Sequence, residues 1–190
     1  LRLSRDADCP QARAEGLVAW ARIDWSVGNL DAALAGLDQA LVDAQRSQDD
    51  RLLLHVQNLL GLVHAELGDL ESSLRWHQLA LEAAHRSGVP DLELVACTNL
   101  AGRRFALGEQ CADEGRQIEA QQHWQQAEAL AHSTEAMALA ADLSHGLPHL
   151  LTTAGATLVR LGRPEQALAL FDRARATAER EGDFSSLLHA

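Results

Sequence analysis

Nine histidines, three cysteines and 27 acidic residues are the side chains of this 190-residue chain that could do chemistry. Their spacing decides which chemistry is open to them. His145 and His149 stand four apart, but Gly146 and Pro148 lie between them, so one helix face is not expected to present both. No Cys or carboxylate completes a ligand set around them at helical spacing, and no metal site is expected. Cys9, Cys97 and Cys111 are odd in number and form no CxxC pair. They read as reduced, small apolar residues of an intracellular protein rather than a disulfide framework. The sequence holds no GxSxG, GxxxxGK[ST] or HExxH motif and no glycine-rich phosphate loop. Scattered Asp and Glu on solvent faces do not make acid–base chemistry. The expectation is a non-catalytic protein with no cofactor.

Composition narrows the partners. A formal net charge of −11 leaves no basic stripe to neutralise phosphates, so nucleic acid is not expected as a direct ligand. Charged residues make up 23% and are interleaved rather than clustered, while 47% hydrophobic content supplies an ample core. The chain has no Lys and no Tyr, which GC-rich coding explains better than function. No apolar run is long enough to span a bilayer, and no signal peptide is evident. A cytoplasmic location without membrane attachment is expected. Because the chain opens on Leu rather than Met, it is expected to be a segment of something longer.

Four stretches share one grammar and must position everything else. Gly28, Gly68, Gly115 and Gly162 are each followed five residues later by a small residue: Ala33, Ser73, Ala120 and Ala167. Apolar residues recur at helical spacing on both sides of each glycine, as in Gly61 to Ala84, where Leu70, Leu74, His77 and Leu81 form the second stripe. The pattern predicts antiparallel helical hairpins in tandem. The first hairpin is expected to turn Leu17, Trp20, Ala21 and Asp24 inward, against Ala33, Leu37, Ala40 and Leu41. Trp20, Trp76 and Trp124 are read as packing residues. Asp50 and Ser144 are expected to cap their helices, with Pro148 and Pro164 in first turns.

Repeat boundaries follow from the glycine spacing: 10–48, 49–89, 90–143 and 144–182. Residues 1–9 then end a preceding second helix, and residues 183–190 begin a further first helix. The step from Gly28 to Gly68 is 40 residues, whereas Gly68 to Gly115 and Gly115 to Gly162 are 47 each. The first surplus of seven, around Glu109 to Glu114, is either two more turns of helix, since seven residues preserve a helix face, or an extended loop; a longer loop with some helical character is favoured, because Gly108 falls where the helix would otherwise end. The second surplus extends the hairpin's second helix toward Leu143.

On these residues the chain resembles the tetratricopeptide repeat (TPR) family in its longer form of about 40 residues. That family places a small residue in helix A, a glycine at the turn and small residues at two places in helix B. Here these are Ala21, Gly28, Ala33 and Ala40; then Gly61, Gly68, Ser73 and Ala80; then Gly155, Gly162, Ala167 and Ala174. In the third repeat the small position falls on Ala101 or Gly102. HEAT-type arrays share the period but do not require the Gly68-Asp69 turn. The resemblance implies an all-α, right-handed superhelix of antiparallel hairpins, a TPR-like α-solenoid. It puts His64 and His77 where relatives pack an aromatic pair, which makes them an interface pair.

The same resemblance implies a concave groove lined by the A helices. Its residues would be Glu15, Val18, Arg22 and Trp25; then His55, Asn58 and Leu62; then Asn99 and Arg103; then His149, Thr152 and Ala156. Asparagine can satisfy both polar groups of an extended peptide, and Arg22 or Arg103 could hold a carboxylate. Trp25 could anchor a partner or cap the preceding repeat. The function expected is protein or peptide binding, as the regulatory or interaction segment of a larger bacterial signalling protein. Self-association through terminal repeats and small-ligand sensing are the alternatives.

Overall fold

A computed structural model describes residues 9–181; the predicted helical ends at 1–8 and 183–190 lie outside the described residues. Among the described residues there are eight α-helices and no strand. They are α1 (Pro10–Ser26), α2 (Leu30–Ser47), α3 (Asp50–Glu66), α4 (Leu70–Ser87), α5 (Pro90–Asp113), α6 (Gln117–Ala140), α7 (Leu147–Arg160) and α8 (Pro164–Glu181). The chain divides into two compact units with the boundary between Ser87 and Gly88.

In the first unit α1 pairs with α2 and α3 with α4, and α2 also packs on α3. Ala21, Ala33, Leu37, Ala40, Val56, Leu60 and Val63 form its core, all at most 1% exposed. A fully buried leucine such as Leu37 contributes about 1.5–3 kcal/mol. An ionic link between α1 and α2 supplements this apolar packing. Asp43 of α2 is 1% exposed and accepts both Nε and Nη2 of Arg13 on α1, each at 2.5 Å. The bidentate guanidinium holds the Asp43 carboxyl below its ordinary range, against the opposing effect of burial.

In the second unit α5 pairs with α6 and α7 with α8, while α7 touches both α5 and α6. Leu94, Ala101, Ala131, Ala138, Leu147, Leu150 and Ala154 share one core cluster.

Every hairpin turns in the same way. Gly28, Gly68, Gly115 and Gly162 have φ of +79°, +79°, +79° and +74°. The next residue's N–H closes back on the helix: Asn29 to Asp24 O at 2.8 Å, Asp69 to His64 O at 2.9 Å, Arg116 to Cys111 O at 2.7 Å and Arg163 to Leu158 O at 2.9 Å. This αL termination satisfies carbonyls that the helix end leaves over, and a side chain at the glycine would cost about 1–2 kcal/mol.

Seven residues before three of these turns, a glycine lets the paired helix approach. A Cβ at Gly61 would lie 2.6 Å from His77 Nε2, and one at Gly155 would lie 2.5 Å from Phe171 Cε1. Gly108 stands in the same relation to the Trp124 ring. In each case the ring comes sixteen residues after the glycine.

Several expectations are corrected here. The seven extra residues of the third hairpin are helix, not loop: α5 runs unbroken for 24 residues. Seven residues are nearly two helical turns, so the buried face is preserved through the insertion. Gly108 is therefore no helix end but the third hairpin's notch, and Gly102 has nothing within 4 Å of its would-be Cβ. Trp20, expected inside, is 68% exposed. Asp49 rather than Asp50 caps α3, its carboxylate accepting from the Arg51 and Leu52 N–H groups, while Asp50 pairs with Arg86 at 2.8 Å. The residue before α7 is Gly146, at φ +87°, rather than Ser144.

Candidate functional site

The first helix of each hairpin carries the side chains proposed to meet a partner. In the first unit these helices are α1 and α3, which touch each other. Arg22 and His55 are both exposed there. His55 titrates below its ordinary value, chiefly because its ring is partly desolvated and then because the Arg22 guanidinium lies near it; Asp49 opposes the shift. Among the described residues Arg22 has no ion pair. The Arg22 charge thus acts on the His55 imidazole from the adjoining helix.

The neighbouring residues divide by burial. Trp25 and Leu62 are half-buried and pack against the first unit's core. Asn58 is 8% exposed, and its Oδ1 receives a 3.1 Å contact from His77 Nδ1. That oxygen can only accept, so the proton resides on Nδ1. Asn58 therefore serves the interior of the α3–α4 hairpin, where Ser73 Oγ also donates to Gly61 O at 2.6 Å. His77 lies in the notch over Gly61, while His64 faces Asp69 at 3.4 Å. His77 thus meets Asn58, and His64 meets Asp69.

In the second unit Asn99 and Arg103 stand one helical turn apart on α5, both half-buried. On α7, His149 is exposed, and half-buried Thr152 donates its hydroxyl to Pro148 O at 2.9 Å. Helices α5 and α7 touch, which places these two pairs on adjoining elements. Nearby on α5, Arg104 is held below its ordinary pKa by desolvation, and His123 of α6 is lowered by burial and by Arg104. Neither Arg104 nor His123 falls at a groove position of the repeat pattern, whether it is counted from Gly102 or from Gly108.

No group of three or more His, Cys, Asp or Glu among the described residues could hold a metal ion. Cys97 and Cys111 are buried and Cys9 is exposed. Burial raises the Cys97 thiol pKa and keeps it protonated. No described helix is long and apolar enough to cross a membrane.

No family model matches the sequence, and no curated protein matches it. Among solved structures, a Rap protein complexed with Competence and Sporulation Factor superposes on 95% of this chain with a TM-score of 0.76 at 15% identity. This chain spans 46% of that protein's length. BtubC (BKLC) from P. vanneervenii matches 92% of this chain and 83% of its own, at 20% identity and a TM-score of 0.46. The likeness to the Rap protein speaks to the fold: this chain has the TPR-like helical-repeat fold, an all-α solenoid of antiparallel hairpins.

Proposed function

We propose that this chain is a non-catalytic scaffold that binds a protein or peptide segment along the faces of its A helices, within a larger regulatory protein. The observation that carries this reading is Arg22 beside His55 on the α1–α3 face, exposed and without an acidic partner for the arginine among the described residues. A carboxylate entering there would meet a guanidinium in paired hydrogen bonds and would draw a proton onto the imidazole. The Rap protein that shares this fold is itself seen with a bound factor, which supports the reading by analogy. The test is peptide selection against the purified chain. Selected peptides should carry a carboxylate, and Arg22→Ala should weaken them about tenfold, about 1.4 kcal/mol, with helix content unchanged. Peptides that bind the variant equally well would refute this assignment.

A second reading, self-association, has its own observation. Trp20 and Ile23, 68% and 52% exposed, occupy the positions of Leu60 and Val63 in α3. Those two are at most 1% exposed, in the core that α2 and α3 share. A second copy covering this stripe would give a concentration-dependent mass in sedimentation velocity that Trp20→Gln abolishes. A concentration-independent monomer mass excludes it.

A further inference from the structure

Helices α6, α7 and α8 line a half-open cavity of about 520 Å³ on the second unit. Its floor is apolar: Leu151, Ala154 and Leu158 of α7, with Ala131 of α6 and Leu170 of α8 as walls. Two ion pairs reach across its mouth from α6, Glu128 with Arg163 in the turn before α8 and Glu135 with Arg173 of α8. None of the groove residues proposed above lines it.

The repeat register explains why the space is there. Leu170 immediately precedes Phe171, the ring that covers Gly155. In the first unit, the residue immediately before His77, which covers Gly61, is Trp76. Trp76 is half-buried and packs on the core built by α1, α2 and α3. At matching places, therefore, the first unit lays an indole over its core and the second offers only an isobutyl group. Facing positions differ in the same sense: Gln57 and His64 on α3 correspond to the apolar Leu151 and Leu158 on α7. The second unit has a greasier floor and a smaller side chain over it.

We propose that this cavity binds a small planar aromatic molecule of about indole size. The chain's own solution at the matching place, an indole, states the shape and chemistry of the occupant. The mouth carries two Glu and two Arg in mutual pairs, so it favours an occupant with no net charge over an ion of either sign. Apolar floors with a few polar groups at the entrance are the usual form of small-molecule sites.

The probe is indole itself, added to the whole chain. Indole should raise the thermal midpoint progressively with concentration, as mass action requires. Amide shift changes in NMR should be confined to α6, α7 and α8. Leu170→Trp should raise the midpoint without indole and weaken indole binding at least tenfold. Should Leu170→Trp not fold, Ala136→Leu, which adds bulk from the exposed edge of α6, replaces it. The proposal is overturned if indole leaves the midpoint unchanged up to its solubility, if the shifts fall outside these helices, or if the filled variant binds as well as the parent. Peptide binding by the Arg22 face is read separately through Arg22→Ala, so either result stands without the other.

Discussion

Two glycines of α5 do opposite things. Gly108 lies under the Trp124 ring, whereas a Cβ at Gly102 meets nothing within 4 Å. Gly102→Ala should stabilise the chain by about 0.5–1 kcal/mol, the ordinary gain of alanine over glycine inside a helix. Gly108→Ala should destabilise it by about 1–3 kcal/mol, because the buried indole must move. Urea unfolding of the two variants checks the register directly, and equal effects would refute it. The same logic reassigns Asn58. Removing its amide takes a hydrogen bond from a fully buried His77, so Asn58→Ala should cost about 1–3 kcal/mol of stability. A thermal midpoint equal to the parent's would place Asn58 outside the interior. For His55, an NMR titration should give a pKa below 6.5, and Arg22→Gln should raise it by removing the nearby positive charge. An unmoved value would mean that the two side chains are not neighbours.

Helix pairing was largely legible from the residues, and the reasons for success and failure are physical. Gly28, Gly68, Gly115 and Gly162 stood out because an αL turn admits little else, and the structure has all four there. Helices α2, α4, α6 and α8 each begin two residues after their turn glycine, so those turns place their starts. The insertion in α5 did not follow. A glycine within a helix and a glycine ending one look alike in sequence, and only Trp124, sixteen residues on, tells that Gly108 is a notch. Trp20 misled for a different reason: its stripe is apolar like that of α3, yet no described element covers it. The α1–α2 pairing also carries a pH signature. Asp43 is held low by Arg13, so its contribution to stability is complete above its unfolded value near 3.8 and is lost as pH falls through the lower folded value. Acid unfolding of Asp43→Asn beside the parent should show a gap in midpoint at neutral pH that closes below that range. A gap that widens in acid would reverse the assignment.

At the scale of the whole molecule, repetition frees surface for binding. The interior is met by small residues and rings at fixed places, so the outward faces of α1, α3, α5 and α7 can vary without loss of fold. That freedom is also why the groove residues were less legible than the fold. Position along a repeat nominates a face, but Asn58, three residues after the exposed His55, is turned to the interior. The likeness to the Rap protein bears on the architecture alone, while the influence of Arg22 on His55 is read from this chain's own residues. The central claim, that A-helix faces hold the partner, is tested most directly by amide hydrogen exchange of the whole chain with and without a selected peptide. Slowed exchange should appear in α1 and α3, around Arg22 and His55, with α2 and α4 unchanged. Protection confined to α2 and α4 would contradict the account.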